Sequence, residues 1–568
     1  MKKITSYLPI LEWSKGYNRL TLTSDLIAAV IVTIMLIPQS LAYAMLAGLP
    51  PEIGLYASIL PLIAYAIFGT SRTLAVGPVA VVSLMTASAI SQYGGTDALT
   101  AAVTLALLSG FILLLMGILK LGFIANFLSQ PVISGFITAS GLLIAASQLK
   151  NIFGVSIHGD TMIDIMSGLW SQIHAVNWIT LALGAGSVVF LYFSRLRLKS
   201  CLQAIGVNGR SADILTRAAP ILTVAITIWL TTAFDLGNEG VSLVGAIPQG
   251  LPAPKLPMVD FELIKILIAP AFLISLIGFV ESVSVAETLA AKRRQRIVPD
   301  QELIGLGAAN IASAISSGYP VTGGFARSVV NYDAGAETPA ASIFTALGIA
   351  VATLLLTPLL ANLPQATLSA TIIVAVLSLV DFRSVARVYK YSKSDFSAMA
   401  ATILVTLGFG VEPGVVSGVL LSLILHLYRT SKPHMAVIGQ IPDTEHFRNI
   451  ERHDVLTDDS ILSLRIDESL YFANRRFLEN RIEELVAKNA SIKHLVLVCP
   501  AVNLIDASAV ESLEMISHRL NNLGIQLHLS EVKGPVMDRL QRTDFLKNFK
   551  GSVFLRQYEA VMTLQKKA

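Results

Sequence analysis

The stretch Gly318–Val330, GYPVTGGFARSVV, packs a proline, three glycines and an arginine between apolar neighbours. Proline and the paired glycines oppose one continuous helix, so an extended backbone is expected here, with a half-helix beginning near Gly323 or Gly324. Such a beginning exposes unpaired N–H groups and the positive end of a helix dipole, which suits an anion. Arg327 stands about one turn into it. Its planar fork of donors fits carboxylate, bicarbonate or sulfate oxygens; a structural ion pair, or an arginine reaching for an interface, is the other reading.

Ser71–Leu84, SRTLAVGPVAVVSL, offers a counterpart in which Gly77 and Pro78 take the same juncture, with the proline expected in the first helical turn. Two positive helix ends would then face one cavity. Glu281, in ISLIGFVESVSVAETLA, is an acid inside an apolar run. Burial and a nearby Arg327 pull its protonation in opposite senses. It therefore reads as a protonatable coupling group, a cation ligand or a fixed partner of Arg327. Glu287 falls on another helical face, near the basic run Lys292–Arg296, where an interfacial ion pair is expected. Gln39 and Tyr43, four residues apart in LIPQSLAYAML, share a face of the first apolar run. Gln39 can donate to an anion without adding charge and Tyr43 can wall the cavity, unless both only pack between helices.

These residues need a scaffold in a particular solvent. Only 14% of the 568 residues are charged and 54% are hydrophobic, with mean hydropathy +0.66; a soluble chain carries about 25% charged residues. The chain reads as a multispan membrane protein. Charge is sparse to about residue 430 and dense beyond it, which marks two domains in different solvents. The expected organisation is an N-terminal arm at 1–24, a transmembrane domain at 25–430, a linker and start of the second domain at 431–458, and a soluble domain at 459–568. The arm lacks a short apolar core with a cleavage site and is expected to be an uncleaved cytoplasmic segment.

Fourteen candidate spans lie near 25–45, 52–69, 76–92, 98–119, 124–148, 175–194, 212–234, 264–290, 301–317, 323–334, 340–360, 366–380, 395–411 and 413–429. Basic residues test the count, because they collect on the cytoplasmic side. Lys2, Lys3, Lys15, Arg19, Arg72, Lys120, Arg195, Arg197, Lys199, Arg210, Lys292–Arg296, Arg383, Arg387, Lys390, Lys393, Arg429 and Lys432 all fall on one side of a fourteen-span arrangement. Loops 93–97 and 361–365 carry no basic residue and 235–260 one lysine; Lys150 is the exception. Both termini are thus expected in the cytoplasm. Fourteen divides into two sevens, and an odd number makes the second set enter from the opposite face, giving an inverted repeat with a midplane site. The two interrupted stretches are the third span of each half.

Beyond the linker, short β-like runs at 460–466, 494–500, 525–530 and 552–555 alternate with amphipathic stretches at 474–488, 507–522, 533–543 and 556–565, a small α/β domain. The two cysteines, Cys201 and Cys499, encode no disulfide framework. There is no GxxxxGK[ST] phosphate loop, and the nine histidines show no metal-ligand spacing. No enzyme, cofactor, metal or nucleic-acid partner is expected.

Taken together, IPQSLAYAMLAGLPPEIGLYASILPLIAYAIFGTSRTLAVGPVAVVSL (37–84), GFVES and GYPVTGGFARSVVNYDAGAETP resemble the sulfate permease (SulP) family, solute carrier family 26. The tail resembles the STAS domain that follows such transporters. The resemblance covers nearly the whole chain. It implies seven-plus-seven topology with core and gate domains, an anion between spans 1, 3, 8 and 10, elevator-like alternating access and a homodimer. Gln39 and Tyr43 match the family's first-span site positions, Gly77, Pro78 and Val79 the third-span half-helix, Gly324, Phe325, Ala326 and Arg327 the tenth, and Glu281 the eighth-span acid. Many animal members have serine where this chain has Ala326. Sodium-coupled bicarbonate members have aspartate at the Glu281 position and threonine where this chain has Val285, whose side chain cannot ligate Na⁺.

The expectation is therefore proton-coupled transport of a sulfate-class oxyanion across a bacterial inner membrane, with Glu281 as proton carrier. Bicarbonate or C4-dicarboxylate transport, an uncoupled channel, and an anion sensor signalling through the STAS domain to a cytosolic partner are the alternatives. NLIDASAVESL (503–513) resembles the STAS loop phosphorylated in anti-sigma-factor antagonists, which makes Ser508 the matching position. This chain reads Asp506-Ala-Ser-Ala there, and an ordinary helix start is the competing reading.

Overall fold

Each of the fourteen apolar segments carries helix in the computed structural model, which describes residues 7–566 apart from 94–96, 128, 158, 160, 207, 210–211, 213–214, 217 and 253–260. Lys2, Lys3, Arg210 and parts of the loops 93–97 and 235–260 lie outside the described residues. The first half comprises α1 (Arg19–Leu46), α2 (Leu60–Phe68, after a short helix Pro51–Tyr56), β1 (Val76–Gly77) leading into α3 (Ala80–Tyr93), α4 (Ala98–Ile118), α5 (Gln130–Phe153), α6 (Trp178–Phe193) and α7 (Ala219–Ala233). The second comprises α8 (Phe261–Lys292), α9 (Pro299–Ile315), β2 (Thr322–Gly323) leading into α10 (Phe325–Asp333), α11 (Ala340–Leu355), α12 (Gln365–Leu377), α13 (Lys393–Phe409) and α14 (Val411–Ser431). Strand-plus-half-helix recurs as the third member of each half, with inverted topology. Among the described residues, eight helical stretches are long and apolar enough to cross a membrane by length and composition.

α1 begins before the expected position 25, because Asn18 caps it: its Oδ1 accepts from the N–H groups of Leu20 at 2.9 Å and Thr21 at 3.0 Å. Polar side chains inside the spans find internal partners, as a membrane interior demands. Thr227 and Thr231 in α7 donate to carbonyls four residues back at 2.9 and 2.8 Å, and Thr231 also reaches Asn362 O at 2.7 Å. A glycine seam joins α4 to α9. A methyl group at Gly110 would meet the backbone of Ile311 and Gly307, and one at Gly307 would lie 2.9 Å from Gly110 O, so the two helices touch through their main chains. The two largest buried apolar clusters of this unit flank the strand pair. Tyr43 and Val79 belong to one, and Val76, Val280, Tyr319 and Val321 to the other, so the strand pair sits at their junction.

Contacts divide the chain into Met1–Ser422 and Leu423–Ala568. The second unit holds a six-stranded sheet in the order β4-β3-β5-β6-β7-β8, formed by β3 (Met435–Gln440), β4 (Phe447–Asn449), β5 (Ile461–Ile466), β6 (His494–Val498), β7 (Gln526–Ser530) and β8 (Val553–Phe554). β5 to β8 pair in parallel, and β3 runs antiparallel to β4 and β5. Helices α15 (Arg475–Lys488), α16 (Ala507–Asn522), α17 (Gly534–Gln541) and α18 (Gln557–Gln565) complete the α/β pattern. β3 and β4 lie within the stretch 431–458, expected as linker and start of the second domain; β3 pairs with β5 and β4 forms the outer strand.

Candidate anion-binding site

The polypeptide on either side of β1 and β2 explains why they meet. β1 pairs antiparallel with β2, Val76 opposite Gly323 and Gly77 opposite Thr322. Around this ladder Gly324 N donates to Ala75 O at 3.2 Å, Ala75 N to Ser328 Oγ at 3.0 Å, and Asn331 Nδ2 to Thr73 O at 3.0 Å. α8 supports β2 from behind: Ser282 Oγ lies 2.6 Å from Thr322 Oγ1 and accepts from Gly323 N at 2.9 Å. Asn310 of α9 holds Val321 by its N–H and its carbonyl. The half-helices α3 and α10 therefore start side by side, each from an extended strand.

Gly324 is the N-cap of α10 and offers no side-chain acceptor, so the first amides of that helix remain available. Ser83 N donates to Val79 O at 2.9 Å, which makes Val79 the residue flanking α3. Pro78 therefore precedes the helix instead of occupying its first turn, as expected from sequence. Its fixed φ and missing N–H suit the end of the strand equally well.

Arg327 is 3% exposed. Its Nη2 donates to the carbonyls of Gly77 at 2.7 Å and Pro78 at 2.5 Å, so one arm of the guanidinium bridges the two halves. Its Nη1 is buried and has no partner. No carboxylate of the described residues forms an ion pair with it. Both Gly77 and Gly324 are shaped to it: a Cβ at Gly77 would stand 2.7 Å from Nη1, and one at Gly324 would overlap Nε. Gly77 also has φ +156. Carbonyl partners do not cancel the guanidinium charge, and the two helix beginnings beside it add to the positive potential of the site.

Tyr43, Glu281 and Tyr319 lie within electrostatic reach of that charge. Tyr43 is nearly buried, Gln39 half-buried one turn away on the same face of α1, and Tyr319 fully buried with its hydroxyl 3.1 Å from Ser83 Oγ. Phe325, 46% exposed, and Ala326, also exposed, stand at the start of α10. Glu281 is half-buried and lines a small recess with Phe136, Ile277 and Val415. Among the described residues it makes no ion pair with Arg327, although it lies within electrostatic reach of it. Val285, one turn further along α8, is buried in an apolar cluster.

Glu287 likewise forms no ion pair with any described residue; it lies on the wall of a polar cavity with Lys120 and Asp300. In the second unit, Ser508 is the second residue of α16 and half-buried, beside the N-cap Asp506, whose Oδ1 accepts from Ala509 N at 2.9 Å.

Two buried acids were not singled out in the sequence. Glu302 of α9 accepts from Tyr65 Oη at 2.6 Å, Thr70 N at 2.7 Å and Ser71 N at 3.1 Å, fixing the loop that enters β1. Asp25 of α1 accepts from Glu337 N at 2.8 Å, Thr338 N at 3.1 Å and Thr338 Oγ1 at 2.6 Å, fixing the start of α11. Both are fully buried. Runs of N–H and hydroxyl donors (Thr70-Ser71, Glu337-Thr338) facing lone acids near span ends were the available signal.

A helical membrane protein with inverted halves, strand-paired half-helices and an appended α/β domain has the architecture of a membrane transporter. Residues 22–402 match the Sulfate permease family and residues 452–560 the STAS domain. The chain is 35% identical over 575 residues to "Sulfate transporter 4.1, chloroplastic" of Arabidopsis thaliana, covering 98% of this chain and 82% of that one. It is 34% identical to "Sulfate transporter 3.1" of the same plant, covering 98% and 86%. The chain belongs to the sulfate permease family. Among solved structures it superposes on the murine solute carrier 26 family member A9 anion transporter in the inward-facing state with TM-score 0.90, at 23% identity, covering 100% of this chain and 95% of that one. The transmembrane domain of a cyanobacterium bicarbonate transporter gives TM-score 0.60, at 21% identity, with 72% and 98% covered.

Proposed function

We propose that this chain is a secondary active transporter of a sulfate-class oxyanion, with Glu281 as the proton carrier and elevator-like alternating access. The observation that carries the reading is the buried, unpartnered Nη1 of Arg327 between two helix beginnings. A buried donor without a partner costs about 1–3 kcal/mol. An oxyanion at this point restores that bond, takes up free amides of α3 and α10, and balances the charge. The printed names of the plant relatives support sulfate as the first anion to test.

Glu281 supports proton coupling by position. It is the acid within electrostatic reach of Arg327, bears no fixed partner, and borders a recess. An anion beside Arg327 competes for the same positive charge, so anion binding and the protonation of Glu281 are thermodynamically linked. The one-sided Lys/Arg distribution supports cytoplasmic termini, and the family resemblance supports a homodimer. The plant relatives lend no support to the bacterial inner membrane expected from sequence.

Uptake of radiolabelled sulfate into liposomes containing the purified chain, with an imposed pH gradient, tests the reading. The parent should accumulate sulfate, Arg327→Gln should lose it, and Glu281→Gln should retain sulfate exchange without responding to the gradient. Gradient-driven uptake by Glu281→Gln would falsify the coupling role, and unchanged sulfate affinity in Arg327→Gln would sink the binding site.

A further inference from the structure

Glu281, Ser284 and Glu287 follow one another at three-residue steps along α8, each step rising about 4.5 Å along the axis. Ser282, on another side of the helix, is committed to β2 through Thr322 and Gly323. Of the row of three, Ser284 and Glu287 border open space and Glu281 a small, mostly apolar recess. Ser284 and Glu287 line a cavity of 470 Å³ together with Lys120, Ser129, Gln130 and Asp300. The recess beside Glu281 shares Ile133 and Val280 with that cavity, so the two spaces abut. The cavity has room for several waters at about 30 Å³ each and the polar walls to hold them.

We infer that Glu287 is the relay through which Glu281 exchanges protons with the Lys/Arg-rich side of the membrane, by way of Ser284 and cavity water. This rests on the reading of Glu281 as proton carrier. The proton leaving the Glu281 carboxyl passes to water, and a proton from that water chain reaches the Glu287 carboxylate, which releases it to bulk. Only O–H bonds are broken and made. The charged groups facing Glu287 across the cavity are Lys120 and Asp300; Asp300 is partly engaged, its Oδ1 accepting from Gly122 N at 2.8 Å. Those within reach of Glu281 are Arg327 and Tyr43. Glu287 is exposed and without an ion pair, so its replacement leaves no buried group stranded and the variant should fold.

The test uses the full chain in liposomes with radiolabelled sulfate as the probe, comparing exchange at equal pH with uptake driven by a pH gradient. Glu287→Gln should keep exchange within about twofold, yet lose about tenfold or more of gradient-driven uptake, the scale on which a lost proton-transfer group is felt. Its pH profile on the relay side should shift, and Glu287→Asp should restore it. A parental pH profile and rate in Glu287→Gln, with Glu281→Gln unresponsive to the gradient, overturns the relay and leaves the coupling role standing. Gradient-driven uptake in Glu281→Gln overturns both.

Discussion

Asn310 grips Val321 at both of its backbone groups: Nδ2 donates to Val321 O at 2.9 Å, and Oδ1 accepts from Val321 N at 2.9 Å. A side-chain amide thus does for the residue before β2 what a neighbouring strand would do. In Asn310→Ala both groups lose their partner in a buried setting, at about 1–3 kcal/mol each. The thermal midpoint in detergent should fall and sulfate uptake should be lost. An unchanged midpoint would show that the strand holds itself.

Gly77→Ala places a methyl 2.7 Å from the free Nη1 of Arg327 on a backbone with φ +156. Crowding a packed site typically costs about 1–3 kcal/mol, and here the cost falls on the guanidinium proposed to hold the anion. Sulfate affinity should drop by about tenfold, or 1.4 kcal/mol. Equilibrium binding to the purified variant measures it.

Arg327→Lys keeps the charge but not the fork. One ammonium cannot hold the carbonyls of Gly77 and Pro78 and also present a spare donor in the geometry of Nη1. Binding and transport should both fall well below the parental values despite the retained charge, as a direct binding assay would register.

Glu302→Gln replaces a carboxylate that accepts from Tyr65, Thr70 and Ser71 by a group with one acceptor and one donor end. The donor end meets a donor, so stability should fall by about 1–3 kcal/mol. Because the loop feeds β1, uptake should decline at temperatures where the protein is still folded.

Cys499 is buried and Cys201 exposed. Burial, with Glu531 adding to it, pushes the Cys499 thiol up to about 12, and the thiolate is the reactive form. Maleimide at pH 8 should label Cys201 and spare Cys499 until the STAS unit is unfolded; equal labelling of both in the folded protein contradicts this.

Burial alone would raise the Asp467 carboxyl, but hydrogen bonds from Arg465 at 2.6 Å and His434 at 2.7 Å outweigh it and hold the group below the ordinary value of 3.8. A lowered folded value means stability that is present above the unfolded value and lost as pH falls through the folded one. Asp467→Asn should cost about 0.5–1 kcal/mol near neutrality, and progressively less below about pH 4. Denaturant titrations at pH 7 and pH 3 make the comparison.

The spans were legible because hydrocarbon leaves the sequence little choice: each apolar run expected between 25 and 429 carries helix, and α16 occupies the expected 507–522. The half-helix starts were legible from Gly77, Pro78, Gly323 and Gly324, since backbone chemistry is local. Partners distant in sequence were not. The carbonyls that hold Arg327 lie 249 and 250 residues away, and nothing local marks a carbonyl as an arginine's partner. Asp25 and Glu302 did not stand out, because an acid near a span end looks alike whether water or a ring of amides surrounds it. β3 and β4 were not legible, because β4 is an edge strand of only three residues and β3, between β4 and β5, is a short run inside a polar stretch.

The ladder joining Val76 to Gly323 ties together helices from opposite halves of the chain. Pulling them apart would strip amides of their partners in a dry interior, so the two dipoles and the guanidinium form a single cassette. In the proposed alternating access, whatever opens toward one side or the other does so around that cassette. Its intrinsic grip on the cargo should then be the same from either face, and any measured sidedness must come from the cost of rearranging its surroundings.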